Sequence, residues 1–174
     1  MSQSSAACHY TAPILVLALG EPTCGDEGLG PTLLKELQSR YRYAGGFVEF
    51  LECGTRGLDL LGSLIGRQAV VVLDALASGK EPGAVSVLEG SEVLRYATDS
   101  SAAVHPGDAH EFLSTAAFLG DLPDHFYVVG VRPGDLHQGA ALSKAVRKGL
   151  PAAAIQAQEI IDHWLVELAE PVEA

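Results

Sequence analysis

Residues 14–30, ILVLALGEPTCGDEGLG, constrain the fold more than any other part of the chain. The apolar run over 13–19 has no polar alternation, which is the pattern of a strand buried on both faces of a parallel sheet. Gly20 ends that run. A glycine-punctuated turn with two adjacent acids, Asp26 and Glu27, then leads into Leu29, Leu33, Leu34 and Leu37, which recur at helical spacing. Pro31 fits a first helical turn, where an N–H has no acceptor within the helix. The spacing therefore predicts a buried strand, an acidic turn, and a helix over about 29–40.

The rest of the chain repeats this alternation. A second strand is expected over 47–51, followed by the turn CGTRG and a short helix over 58–65. The run AVVVL over 69–73 has the strongest β-branched content, and Asp74 follows it where the chain leaves the sheet. Pro82-Gly83 before a short alternating segment, 84–88, predicts an antiparallel edge strand. Residues 89–108 are polar and show no clear period. A helix over 109–118 presents Phe112, Leu113, Ala116 and Ala117 on one face, and FYVVGV over 126–131 is the last strand. A helix over 143–168 is predicted to break or restart at Gly149-Leu150-Pro151 and to bury Ile155, Ile160, Ile161, Trp164, Leu165 and Leu168.

Strands and helices in this order give an α/β three-layer sandwich: a mostly parallel twisted sheet of about five strands, with one antiparallel edge strand and helices on both faces. A length of 174 residues with 48% apolar content predicts a single domain over 1–174, with 1–12 frayed. Ligands of such sheets bind beyond the C-terminal strand ends, where crossovers diverge. If the first and third strands are neighbours there, Glu27 and Asp74 flank one crevice.

Charge narrows the function. With 11 basic against 22 acidic residues, the net charge of −11 argues against nucleic acid and anionic membrane surfaces as partners, and favours cations or basic protein surfaces. No apolar run reaches the roughly 20 residues of a membrane span, and the first residues lack the pattern of a secretory signal, so a cytoplasmic protein is expected. Three scattered cysteines, Cys8, Cys24 and Cys53, are too few for a disulfide framework.

A glycine-rich turn before a helix often binds phosphate. Here the glycines at 20, 25, 28 and 30 miss the dinucleotide spacing, no Walker lysine is present, and Asp26 with Glu27 would repel an anion. Carboxylates at a positive helix end suit a cation instead, although such acids also serve as plain dipole partners. Asp74 adds a second carboxylate whose ordinary role would be to cap a turn. His105 offers a nitrogen for zinc or nickel, yet His110, His125 and His137 stand in comparable places, and spacing does not choose among them. Cys24 and Cys53 follow the first two strands and allow a thiol hydrolase, against the simpler reading of small inert residues in tight turns.

Four blocks in series, ILVLALGEPTCGDEGLG, LECGTRGLDLLG, VVVLDAL and the segment from His105 to Gly120, resemble the nickel-iron hydrogenase maturation endopeptidase family. The resemblance covers about 14–142 and implies an endopeptidase that removes the C-terminal extension of a hydrogenase large-subunit precursor. It further implies that Glu27, Asp74 and His105 are the catalytic and metal-contacting positions. The metal is then nickel carried by the precursor, with no permanent organic cofactor, and the protease acts as a monomer. Gly54 and Thr55, in the turn CGTRG, are implied to admit the substrate tail. Two positions depart from the family pattern: Glu21 stands where asparagine is usual, and Cys53 where glycine is common. A non-catalytic metal-sensing assembly factor of the same fold and the thiol hydrolase are the alternatives.

Overall fold

The computed structural model describes residues 11–54, 57–99, 101, 108–134, 137, 139 and 141–170. One five-stranded sheet organises them, made of β1 (Ile14–Ala18), β2 (Val48–Glu52), β3 (Ala69–Ala75), β4 (Val85–Glu89) and β5 (His125–Val131), in the order β2-β1-β3-β5-β4. All pairings are parallel except that of β4 with β5, which is antiparallel and places β4 at the edge. The helices are α1 (Leu29–Arg40), α2 (Ser91–Thr98), α3 (Ala109–Leu119) and α4 (Lys144–Ala169). Two 3-10 segments, Gly25–Gly28 and Gly57–Leu64, stand before α1 and between β2 and β3. The expected α/β sandwich, with its antiparallel edge and adjacent first and third strands, is therefore present.

The central strands separate two apolar layers because successive side chains point to opposite faces. Ile14, Val16 and Ala18 face α1 and α4, where Leu33, Leu37, Ala153, Ala157 and Ile161 cover them. Leu15, Leu17 and Leu19 face the other way, onto Val93 of α2 and Phe112, Leu113 and Ala116 of α3. Each fully buried leucine contributes about 1.5–3 kcal/mol relative to exposure, so both layers contribute to holding the sheet between them. α1 lies on one face and α2 and α3 on the other, so the crossovers leaving β1 and β3 diverge. In sheets of this kind such divergence marks the C-terminal ends of the two strands as the place where a ligand binds.

Three expectations need correction. α4 runs unbroken through Pro151. Pro151 and Arg147 are exposed, so the carbonyl that loses its partner faces water. Val146, Gly149, Ala153 and Ala157 meanwhile pack the turns on both sides of the proline against one layer. Ile155 is 53% exposed, and the inner face is built from alanines that let the helix approach closely; Ile161 is buried, and Ile160, Trp164, Leu165 and Leu168 pack at its margin. Within 89–108, read as irregular, α2 forms a helix of eight residues, too short to show a period in the windows that reveal amphipathicity. Among the described residues no helix is long and apolar enough to cross a membrane.

α1 meets the strand ends at Gly30. A Cβ there would lie 2.2 Å from the Leu19 carbonyl oxygen, just past β1, and 2.6 Å from that of Leu73 in β3, both backbone atoms. Gly-to-Ala inside a helix ordinarily stabilises by about 0.5–1 kcal/mol. Gly30→Ala should reverse that sign and destabilise by roughly 3 kcal/mol, as overpacking does where backbone cannot retreat. Urea denaturation reads the difference, and a stabilised variant would contradict the close approach.

Candidate active site

Three carboxylates are buried where β1 and β3 end, and each has a distinct structural reason for being there. Asp26, fully buried in the 3-10 turn Gly25–Gly28, accepts hydrogen bonds from the N–H of Gly134 at 2.8 Å and of Ser143 at 2.6 Å. Those donors lie after β5 and at the N-cap of α4, so Asp26 ties the first turn to the start of the last helix. A carboxylate that accepts several backbone N–H bonds is held in place by them. Glu27, one residue on, retains 8% exposure. Neighbours in a 3-10 turn project roughly 120° apart, which is why two adjacent acids have separate surroundings.

Asp74 extends β3 beyond the apolar run, because its pairing with Gly130 and that of Ala75 with Val131 continue the ladder. The expected end of this strand at residue 73 is thus two residues short, and Asp74 is fully buried. Its Oδ1 accepts from the N–H of Ala75 and its Oδ2 from that of Ala109, both at 2.7 Å. The second bond meets the first residue of α3, where unsatisfied amides and the helix dipole favour an anion. Asp108 caps the same helix by accepting from the Glu111 N–H at 3.0 Å. A carboxylate has about four acceptor positions, so two amide bonds on Asp74 are compatible with a cation on the same group.

Gly20 brings the two sides together. Its φ of +101° suits glycine, and a Cβ there would lie 2.1 Å from the Glu27 carbonyl oxygen and 3.6 Å from Asp74 Oδ1. The backbone of Glu27 and the carboxylate of Asp74 therefore both stand beside Gly20. The Gly20 N–H donates to the carbonyl of Gly54 at 3.0 Å, which joins the turn after β2 to the same rim. Thr55 and His105 lie outside the described residues. Among the described residues no group of three or more His, Cys, Asp or Glu stands ready to hold a metal. Two carboxylates with an imidazole would nonetheless be a donor set suited to a borderline divalent ion such as nickel.

The other histidines are distinguished by position. His125 pairs with Ala69, five residues before Asp74, so it lies about 16 Å down the sheet at 3.3 Å per residue, its ring tilted against that of Trp164. His110 follows Ala109 in α3, and its ring meets that of Tyr96 edge-on with centroids 5.8 Å apart. Tyr96, buried in α2, is a component that sequence reasoning missed. Burial raises its phenol well above the usual value, Asp108 and Asp74 add to the effect, and a hydrogen bond from the backbone of Ala77 opposes it. It remains a neutral phenol beside the acids. The signal that could have found it is α2 itself, hidden by its brevity.

Glu21 turns inward on its own loop, its Oε1 accepting from the Thr23 hydroxyl at 3.1 Å. Cys53 donates from Sγ to the Ala18 carbonyl at 3.1 Å, and its thiol is pushed up to about 12 by burial first, then by Asp74 and Glu52. Since the thiolate is the nucleophile, Cys53 is unsuited to attack at neutral pH.

An α/β sheet covered on both faces, with buried acids gathered at adjacent strand ends, defines a protein whose ligand enters at the C-terminal edge of the sheet. A family model described as hydrogenase maturation protease matches residues 31–161. The hydrogenase expression/formation protein HupD of Rhizobium leguminosarum bv. viciae is 32% identical over 152 residues, 87% of this chain and 75% of that protein. The hydrogenase 2 maturation protease of Escherichia coli is 34% identical over 134 residues, 76% of this chain and 80% of its own. The solved structure of the hydrogenase maturating endopeptidase HybD from E. coli superposes with a TM-score of 0.71 at 27% identity, covering 86% of this chain and 92% of that one. The chain belongs to the hydrogenase maturation protease family and is a peptidase.

Two outcomes follow from the site's geometry. Asp26→Asn replaces one acceptor by a donor facing an amide and should destabilise by about 2–3 kcal/mol, the value of a hydrogen bond to a charged group, measured by urea denaturation. Iodoacetamide labelling followed site by site by mass spectrometry should find Cys53 on the order of a thousandfold slower than a free thiol near pH 7.5, since a pKa of about 12 leaves almost no thiolate. Rapid labelling of Cys53 in the folded protein would reverse that conclusion.

Proposed function

We propose that this peptidase removes the C-terminal extension of a nickel-iron hydrogenase large-subunit precursor, and that Glu27, Asp74 and His105 engage nickel already seated in that precursor. The observation that supports this most is that the turn carrying Glu27 and the carboxylate of Asp74 both stand against Gly20 at the C-terminal edge of adjacent strands. The relatives' names, among them a hydrogenase 2 maturation protease, point to the same substrate class. His105 precedes α3 by four residues in sequence, and the first N–H of that helix is bound by Asp74.

The nickel, as part of the substrate, supplies a Lewis-acidic centre beside the scissile peptide. Asp74 is fixed by two amides and holds its share of the metal with little reorganisation. Glu27 has the solvent contact, and in this reading it takes the proton from the attacking water and returns it to the leaving amine. In this reading Gly54, whose carbonyl accepts from the Gly20 N–H, and Thr55, next in sequence, admit the substrate tail. The protein works as a cytoplasmic monomer on a folded partner, and no organic cofactor takes part.

Purified protein mixed with nickel-loaded and nickel-free precursor, followed by mass spectrometry, tests this directly. The loaded form should lose its C-terminal segment and the empty form should stay intact. Glu27→Gln should lower kcat/KM by roughly a hundredfold or more while leaving the circular dichroism spectrum unchanged, as loss of a general base does. Equal cleavage of both precursors would remove the metal from the reading. Failure of the wild-type protein to cut either would remove the substrate.

A further inference from the structure

A groove lies between the edge strand β4 and the first turns of α4. Its volume is about 710 Å³, and its walls include Pro82, Val85, Lys144, Ala145, Lys148 and Ala152. Gly83 and Gly149 also line it, where the backbones of the two segments are in close contact. A Cβ on Gly149 would lie 2.6 Å from the Gly83 carbonyl oxygen, and one on Gly83 would lie 2.5 Å from that of Ala145.

Charge singles this groove out. The chain has 11 basic residues against 22 acidic ones, yet Lys144, Arg147 and Lys148 fall within five consecutive positions at the start of α4, all exposed. Lys144 and Lys148 are one helical turn apart, both line the groove, and neither enters the ion pairs found among the described residues. β4 pairs only with β5, so the outer row of its peptide groups remains a template for an added strand. The groove also adjoins the candidate active site. The Cβ position on Gly134 is 3.3 Å from Pro82 Cβ and 3.8 Å from Asp26 Oδ2, so one loop borders the groove on one side and the anchor of the Glu27 turn on the other.

We infer that this groove seats an extended, carboxylate-bearing segment of the hydrogenase precursor, laid along β4 with its acidic groups on Lys144 and Lys148. The inference rests on the proposed substrate and adds a second binding site for it. A peptide reaching both sites has an orientation imposed on it: its carboxylates are repelled from Glu27 and Asp74 and attracted to the lysines. Docking beside β4 thereby selects which part of the precursor reaches the acidic crevice.

The test is the dissociation constant of nickel-loaded precursor for the wild-type protein and for Lys144→Glu with Lys148→Glu, measured by interferometry alongside cleavage. Two reversed contacts should weaken binding about tenfold, with the loss diminishing as salt is raised. KM should rise in parallel and kcat should stay within about twofold, because neither lysine touches the crevice. The pair Lys144→Arg and Lys148→Arg should restore binding. Both lysines are exposed, so an unchanged thermal midpoint is expected and confirms folding. Unchanged affinity in the charge-reversed protein overturns the groove whatever happens to cleavage. Absent cleavage by the wild type with charge-dependent affinity retained overturns the proteolytic reading and leaves the docking site standing. A concentration-dependent dimer that the reversal abolishes, with precursor affinity unchanged, would assign the groove to a second copy and overturn the proposal.

Discussion

The two bonds that Asp26 accepts hold the functional end of this protein together. Its turn is more than a hundred residues in sequence from both the loop after β5 and the N-terminus of α4, yet the amides of Gly134 and Ser143 converge on one carboxylate. That convergence is one of the long-range ties on the turn carrying Glu27, beside the bond from the Gly139 N–H to the Thr23 carbonyl. A buried ion is costly unless hydrogen-bonded, and backbone amides offset the cost without adding a counter-charge that would compete for a cation. The same choice recurs at Asp74, stabilised by the amides of Ala75 and Ala109, and at Asp108, which caps α3. The site is thus acidic by construction and compensated by the backbone.

Compensation by dipoles has a consequence for reactivity. A thiol set in this field is kept protonated, since both burial and the neighbouring acids oppose a second negative charge, and Cys53 shows both effects. Tyr96 is subject to the same field and stays neutral. An acidic pocket that suppresses nucleophilic side chains is suited to chemistry in which water attacks and a cation offsets the charge that develops. The acids therefore also work against the thiol route.

Much of the fold was legible in the sequence because its strands are nearly all apolar and its helices long enough to show a period. The run before Gly20, the segment AVVVL and the alternating residues after Pro82-Gly83 each declared their place, the last even as an antiparallel edge. What remained hidden depends on tertiary context. α2 is two turns long, and its inward face is revealed only by what Val93 and Tyr96 pack against. Pro151 signals a break locally, but its exposure lets water satisfy the freed carbonyl. Of the candidate site, the strand-end placement of Asp74 and the turn bearing Glu27 were readable. The separate task of Asp26 was not, because its partners lie 108 and 117 residues away. Among the histidines, only sheet register removes His125.

The adjacency of Asp26 and Glu27 then explains why this turn needs its glycines. One acid must reach across to α4 while the next borders the crevice with Asp74, and a 3-10 turn separates neighbours by about a third of a rotation. To bring that turn against the strand ends, Gly20 adopts a backbone conformation that a side chain would strain, with the Glu27 carbonyl where its Cβ would be. Gly30 lets α1 descend onto the carbonyls of Leu19 and Leu73 one turn later. Larger residues at either place would lift the turn off the sheet and part Glu27 from Asp74. A glycine pattern that resembles a phosphate loop is here the means of close approach between backbones, and the two acids make the resulting crevice fit for a cation.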